Sequence, residues 1–229
     1  MTMRFEEFSA VEAVPSSAAF KAATTQKHGM YRRVVKRLFD VSAVLIAAPV
    51  VVPVVGMLAL AVAATGGQAF YTQDRVGKSG RTFRMWKLRS MVQNADALME
   101  AHLATDPAAR AEWDTTQKLK NDPRITRFGR FLRRSSLDEL PQLWNVVKGD
   151  MSLVGPRPMM LNQRNLYPGM AYYALRPGIT GLWQTAGRNK TTFAARAEYD
   201  AAYEGDVSLR QDVSILWRTV AVVMNATGY

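Results

Sequence analysis

Asp138 and Glu139 stand side by side in SSLDELPQLWNVVKGDMSLVGPRP, which runs from Ser135 to Pro158. One carboxylate can attack phosphorus while its neighbour holds a hard cation or handles a proton. Attack on an anionic phosphate fails unless charge is neutralised, and arginines or a divalent ion are the usual means. The same pair also suits a helix start. Leu137, Leu140, Leu143, Trp144 and Val147 recur at helical spacing, and Ser136 with Glu139 fits a capping box. Pro141 would then delete an interior hydrogen bond. With Asp138 as the cap, the proline falls in the first turn, where it is tolerated. Either placement puts Asp138 at the positive end of a helix, just after a run of arginines, and those fields favour an ionised carboxylate. Spacing alone leaves the cap and the chemistry both standing.

The cations such chemistry needs are abundant. The 229-residue chain carries 30 Lys and Arg against 19 Asp and Glu, a formal charge of +11. That excess favours nucleic acid, phospholipid headgroups or phosphorylated small molecules as partners. In NDPRITRFGRFLRRSS, Arg124, Arg127, Arg130 and Arg133 recur every three residues beside Ile125, Phe128, Phe131 and Leu132. A segment with a basic and an apolar face lies on anionic lipid, lines a phosphate cleft, or is simply solvated. No aromatic platform interleaves with the basic residues and no reading motif is present, so no nucleic-acid partner is expected. In Gly155-Pro156-Arg157-Pro158, Arg157 is fixed between two rigid residues, which suits a bidentate phosphate clamp or a plain turn. Lys87 and Arg89, in KLRSM, are either further phosphate ligands or surface charges. Cysteine is absent, which excludes disulfides, thiolate catalysis and cysteine-held metals. The two histidines, His28 and His102, leave little for a histidine metal site or a Ser-His-Asp triad.

These groups need a scaffold, and its first part is apolar. Val41–Ala64 reads VSAVLIAAPVVVPVVGMLALAVAA, with no charge between Asp40 and Asp74. A helix of that length would be about 36 Å, enough for a hydrocarbon core of roughly 30 Å. Lys27, Arg32, Arg33, Lys36 and Arg37 precede it, and Arg75, Lys78, Arg81, Arg84, Lys87 and Arg89 follow. With both flanks basic, the positive-inside rule assigns no orientation. Pro49 and Pro53 bend the middle. A kinked span fits this pattern, and so does a segment that enters and leaves by one anionic leaflet. Residues 1–30, rich in Ala, Ser and Thr, read as a disordered or weakly ordered tail.

Gln68–Trp86 is expected to form a β-hairpin about Gly77-Lys78-Ser79-Gly80, a turn and not a phosphate loop. Helices are expected over Val92–Leu103 and from Asp106-Pro107 onward, the latter carrying Trp113 against the body. The C-terminal block contributes tight turns at Arg176-Pro177-Gly178 and Gly181-Leu182-Trp183-Gln184. Asp200 and Tyr203 follow one helical turn apart, with no catalytic role assigned. Leu209–Val223 closes the chain as a helix whose Val213, Leu216, Val220 and Val223 are expected in the core.

In order along the chain, KRLFD, QDRVGKSGRTFRMWKLRSM, DPRITRFGRFLRRSSLDELPQLWNVVKGDMSLVGPRP, RPGITGLWQTAGR and FAARAEYDAAYEGDVSLRQDVSILWRTV together closely resemble the bacterial sugar transferases. These are small polyprenyl-phosphate phosphoglycosyl transferases, and the likeness extends from about Tyr31 to the C-terminus. The insertion DPAARAEWDTTQKLKNDP resembles the galactose- or glucose-using members that initiate exopolysaccharide synthesis.

The resemblance implies an α+β, predominantly α fold: a compact monotopic domain over 31–229, with an anchor helix over 34–64 and a small hairpin. It implies that Asp138 and Glu139 are a catalytic dyad. Asp138 would be the nucleophile on the sugar-bearing phosphate of a UDP-sugar, releasing UMP. Undecaprenyl phosphate would then collect the phosphosugar. Magnesium, held at Asp138 and Glu139, is implied as cofactor. Lys87, Arg133 and Arg157 are implied as phosphate ligands, with Arg89 grouped among them, and Gln184 and Arg188 as uridine or diphosphate contacts. The anchor is implied to be re-entrant from the cytoplasmic leaflet of the inner membrane. Its break would fall at Pro53, preceded here by Val52 where the family has serine, with Pro49 additional. Anionic phospholipid is a further partner. A second copy of the chain, or polysaccharide-assembly proteins, are left open, as is the identity of the hexose.

Overall fold

In the computed structural model, residues 29–116, 119–186 and 192–224 are described. Of the tail expected over 1–30, only the last two residues fall among them. A π-turn at Tyr31–Val35 leads into α1, Lys36–Ala64, which runs on through Pro49 and Pro53. Apart from its anchoring residues α1 stands largely clear of the protein: Leu45, Ile46, Val50, Val52, Met57 and Leu60 are all exposed. By length and composition it suffices to cross a bilayer.

Both ends of α1 are nonetheless fastened to one folded body. At its start, Lys36 Nζ meets Asp212 Oδ2 at 2.6 Å, Arg37 donates to the carbonyls of Val146 and Val147, and Asp40 accepts from Ser152 Oγ at 2.6 Å. At its end, the Arg89 guanidinium donates to Val62 O and Thr65 Oγ1, both at 3.2 Å, and to Gly66 O. One arginine thereby ties the last helical turn to the residues that follow it. Val44 and Val62 are also buried in two clusters that share strand β2, the first beside Phe83 and Met85, the second beside Leu88 and Leu132.

That strand belongs to the expected hairpin. β1, Phe70–Val76, pairs antiparallel with β2, Thr82–Leu88, around a 3-10 turn at Lys78–Gly80. The next two helices fall close to expectation: α2, Ala95–Thr105, and α3, Pro107–Thr116, whose start is capped by Asp106 Oδ1 accepting from the amides of Ala108 and Ala109. Trp113 lies under the Arg124 guanidinium, 5.4 Å from it. Only the end of the basic segment is helical, as α4, Arg127–Arg134; Arg124 instead forks onto Asp122 at 2.6 Å.

After α4 come a 3-10 turn, Leu137–Glu139, and α5, Gln142–Lys148. The chain then does what its turn residues did not announce. Ser152–Val154 forms β3 and Gly178–Thr180 forms β4, a short parallel pair. Between them lie a 3-10 stretch, Leu161–Leu166, and the single turn α6, Ala171–Ala174. α7, Leu182–Ala186, α8, Arg196–Gly205, and α9, Leu209–Met224, complete the described chain. α9 corrects the sequence reading. Ile215 and Asp212 are its buried residues, whereas Val213, Val220 and Val223 face out beside Trp217, which is 78% exposed. Asp212 holds the inner face by accepting from Tyr31 Oη and Tyr203 Oη as well as pairing with Lys36.

Candidate active site

The helix-start reading of the acidic pair does not survive the geometry. Pro141, not Ser136 or Asp138, occupies the N-cap of α5, and neither Ser136 nor Pro141 makes a side-chain capping bond. Asp138 and Glu139 sit on the tight 3-10 turn ahead of the helix. Strand β2 delivers Lys87 to both: its Nζ lies 2.7 Å from Glu139 Oε1 and 3.8 Å from Asp138 Oδ2. Strand alternation explains the split between neighbours, since Leu88 points inward to Val62 and Leu132 while Lys87 faces the acids.

Asn145 ties α5 to the same strand. Its Oδ1 accepts from the Trp86 amide at 3.0 Å and its Nδ2 donates to Arg84 O at 2.7 Å, fixing the turn against Lys87. Arg133, in the last turn of α4, donates from Nε to Ser90 Oγ at 2.8 Å. Burial lowers the pKa of this guanidinium, while the Asp138 charge opposes the fall.

Asp138 itself is 6% exposed. Burial raises its carboxyl above the ordinary range, and Glu139 adds to the rise against the opposing pull of Lys87 and Arg133. Cations and a helix terminus were expected to favour ionisation. Removal from water outweighs them.

Beside the pair is a cleft lined by Arg75, Lys87, Glu139, Gln142, Arg157 and Pro158, with Gly178 and Ile179 of β4 on its wall. The parallel β3–β4 pair holds this wall: the amide of Ser152 donates to Pro177 O and that of Gly155 to Thr180 O, both at 2.9 Å. Arg157 follows Gly155 and Pro156, exposed at the rim. A Cβ on Gly178 would lie 2.1 Å from Gly155 N, so only glycine lets the two loops close on each other.

Of the residues singled out from sequence, Asp138, Glu139, Lys87, Arg133 and Arg157 therefore gather in one region. Arg89 lies elsewhere, at the end of α1. Gln184 is on α7, its Oε1 2.8 Å from where a Cβ on Gly181 would lie; Arg188 is outside the described residues. Arg75 was not singled out. Its signal was faint: a charge two residues after Gln73 in a hairpin strand, now bonded to Gln73 Oε1 at 2.6 Å and to Pro158 O at 3.3 Å.

No group of three or more metal-binding side chains occurs among the described residues. Two carboxylates with one oxygen already on lysine do not make a closed cage. They do suit magnesium, which commonly takes one or two carboxylates and completes its shell with substrate phosphate and water.

Residues 31–226 match the family model of the bacterial sugar transferases, and the chain belongs to that family. Over 198 residues it is 48% identical to a UDP-galactose-lipid carrier transferase of Erwinia amylovora and 46% identical to an undecaprenyl-phosphate galactose phosphotransferase of Salmonella typhimurium. In each case 86% of this chain covers 42% of the relative, so the chain spans about two fifths of those proteins. The exopolysaccharide production protein ExoY of Sinorhizobium fredii is matched along most of both chains, at 41% identity over 84% of this chain and 87% of that one.

Proposed function

We propose that this chain transfers hexose-1-phosphate from a UDP-sugar, UDP-galactose or UDP-glucose, to undecaprenyl phosphate, as an opening membrane step of exopolysaccharide synthesis. The observation that carries the reading is the Asp138–Glu139 pair bridged by Lys87 at the edge of an arginine-lined cleft. In the first step an Asp138 oxygen bonds to the sugar-bearing phosphorus. The phosphoanhydride bond breaks, its electron pair passes to the departing phosphate, and UMP leaves. In the second step an oxygen of undecaprenyl phosphate attacks the same phosphorus, giving the lipid diphosphosugar and returning the Asp138 carboxylate.

Lys87 and Arg133 offset negative charge around the nucleophile, and Arg157 clamps donor phosphate from the rim. Glu139 holds Lys87 in line and shares with Asp138 the binding of magnesium, which neutralises phosphate charge when bound.

The same arrangement supports a one-sided, re-entrant anchor. From Arg37 to Val62 a straight helix would reach about 37 Å, yet both residues are held by one body through Val146 and Arg89. A helix crossing the bilayer would separate those two attachments by a hydrocarbon core. Pro49 and Pro53, each lacking an amide donor, would supply the bend, and the basic residues on both flanks favour the anionic cytoplasmic leaflet of the inner membrane. The outward apolar side of α9 with Trp217 and the exposed Phe131 of α4 suit the same lipid surface.

The test incubates purified protein with each UDP-sugar, magnesium and, in half the samples, undecaprenyl phosphate. UMP release without acceptor, together with a phosphohexose adduct on Asp138 by mass spectrometry, is expected from the wild type and not from Asp138→Asn. Release that strictly requires the lipid would refute the covalent route. No lipid product from either UDP-sugar would refute the donor assignment.

A further inference from the structure

Three guanidinium groups repel one another and make no ion pair among the described residues, with Glu139 and Asp200 only partly offsetting Arg75 and Arg196. Arg75 and Arg157 line the cleft. Arg196, on α8, lies over two rings, 4.1 Å from the Trp183 centroid and 4.6 Å from that of Phe193. Burial first, and then the Arg157 charge, bring the pKa of Arg75 down to about 10. Arg196 is also brought down to about 10, by burial first and then by Arg157, with Arg75 adding to the effect. The Nε atoms of Arg75 and Arg196 are inaccessible and have no hydrogen-bond partner, and the same holds for both amide atoms of Gln184.

Nearby carboxylates are already engaged. Glu139 takes Lys87 at 2.7 Å, and Asp200 takes the Tyr167 hydroxyl at 2.9 Å. Buried donors left unmet cost free energy, and clustered like charges cost more. A protein keeps such a group where an anion completes it. Contact with two rings restrains the Arg196 guanidinium before any ligand arrives.

We propose that Arg75 and Arg196, with Arg157, hold the phosphate of the nucleoside monophosphate that leaves the donor, apart from the phosphate attacked by Asp138. The inference rests on the transferase reading above. As the Asp138 oxygen–phosphorus bond forms and the anhydride bond breaks, the departing phosphate receives the electron pair and gains one negative charge. Cations placed at that oxygen stabilise the transition state more than the bound donor, in which the charge has not yet developed. Arg75 and Arg196 are positioning residues for the leaving group.

The experiment measures UMP and uridine binding by titration calorimetry, and UMP inhibition of turnover, for the wild type, Arg75→Gln and Arg196→Gln. Loss of one charge-assisted contact is expected to weaken UMP binding about tenfold or more, with the inhibition constant rising in parallel and uridine binding unchanged. Arg196→Lys keeps the charge but not the guanidinium and should fall between; if a Gln variant melts well below the wild type, the Lys variants at both positions decide. UMP affinity unchanged in the Gln variants, in a wild type that does release UMP, overturns this inference and leaves the transferase reading intact. Equal losses for UMP and uridine also overturn it, because the site would then not read phosphate. A wild type that neither releases nor binds UMP overturns both.

Discussion

Gly129 offers a test of how the fold reaches the chemistry. It lies in α4, and its amide donates to Thr126 Oγ1 at 2.8 Å while the Thr126 amide donates to Ser90 O at 3.1 Å. A Cβ there would meet Ser90 O at 1.9 Å and Ser90 C at 2.6 Å, both main-chain atoms. Reaching ordinary contact at 3.4 Å requires α4 and the end of β2 to separate by about 1.5 Å. No side-chain rotation relieves a clash with backbone. Overpacking of this kind costs about 1–3 kcal/mol. Losing the Arg133–Ser90 bond, which spans the same seam, adds about 1.5 kcal/mol. The better helix propensity of alanine returns about 1 kcal/mol. Gly129→Ala should therefore destabilise by about 1.5–3.5 kcal/mol, a fall of roughly 3–14 °C in melting temperature for a domain of this size. Arg133 moves with α4, so its charge shifts relative to Asp138, and a displacement of about 1 Å at such a site can cost on the order of a hundredfold in rate. Circular dichroism melting in detergent and initial rates of UMP release measure the two effects. Gly205→Ala, where an added Cβ meets nothing within 4 Å, is the control. A Gly129→Ala protein that melts within about 2 °C of wild type and turns over within threefold would refute the coupling.

Lys87→Met removes the strongest pull lowering the pKa of the Asp138 carboxyl. The acidic limb of the pH–rate profile should move to higher pH, and an unmoved limb would show that Asp138 is not the titrating group. Asp200 is raised to about 7 by burial, against 3.8 for the ordinary group, so the folded state binds more protons than the unfolded one between those values and stability falls as pH rises through that window. In Asp200→Asn the drop in melting temperature from pH 4 to pH 7 should be smaller than in wild type; equal slopes would count against the assignment. Arg89→Gln frees the acceptors at Val62, Thr65 and Gly66. Proteolysis near Gly66–Gly67 should accelerate severalfold with the KM for donor unchanged, whereas a raised KM would return Arg89 to the phosphate site.

Much of this arrangement is legible in the sequence because it is local. The apolar run, the hairpin with its four-residue turn, and the Asp106-Pro107 helix start are all written in neighbouring residues. So is the identity of the acidic pair, whose motif stands out against a basic chain. What the sequence conceals is non-local. The parallel pairing of Ser152–Val154 with Gly178–Thr180 joins segments that each read as turns, and two three-residue strands carry too little periodicity to be noticed. The burial that raises Asp138 comes from packing around it and not from its sequence neighbours. Arg89 and Lys87 look alike on paper. Lys87 lies within β2 and reaches the acids, whereas Arg89, just past the end of the strand, reaches the end of α1. In α9 the apolar pattern is real, but the helix docks through Asp212, Ile215 and the partly buried Leu216, and Val213, Trp217, Val220 and Val223 stay exposed.

Under the proposed anchor, the contact of Val62 with Leu88 would couple the bilayer mechanically to catalysis. Leu88 is bonded to the residue that carries the lysine, so any force tilting the far arm of the anchor pulls on the strand that aims Lys87. Membrane thickness and lateral tension should thus register in the turnover number, and an enzyme moved from thin to thick vesicles would change speed with no alteration in either substrate.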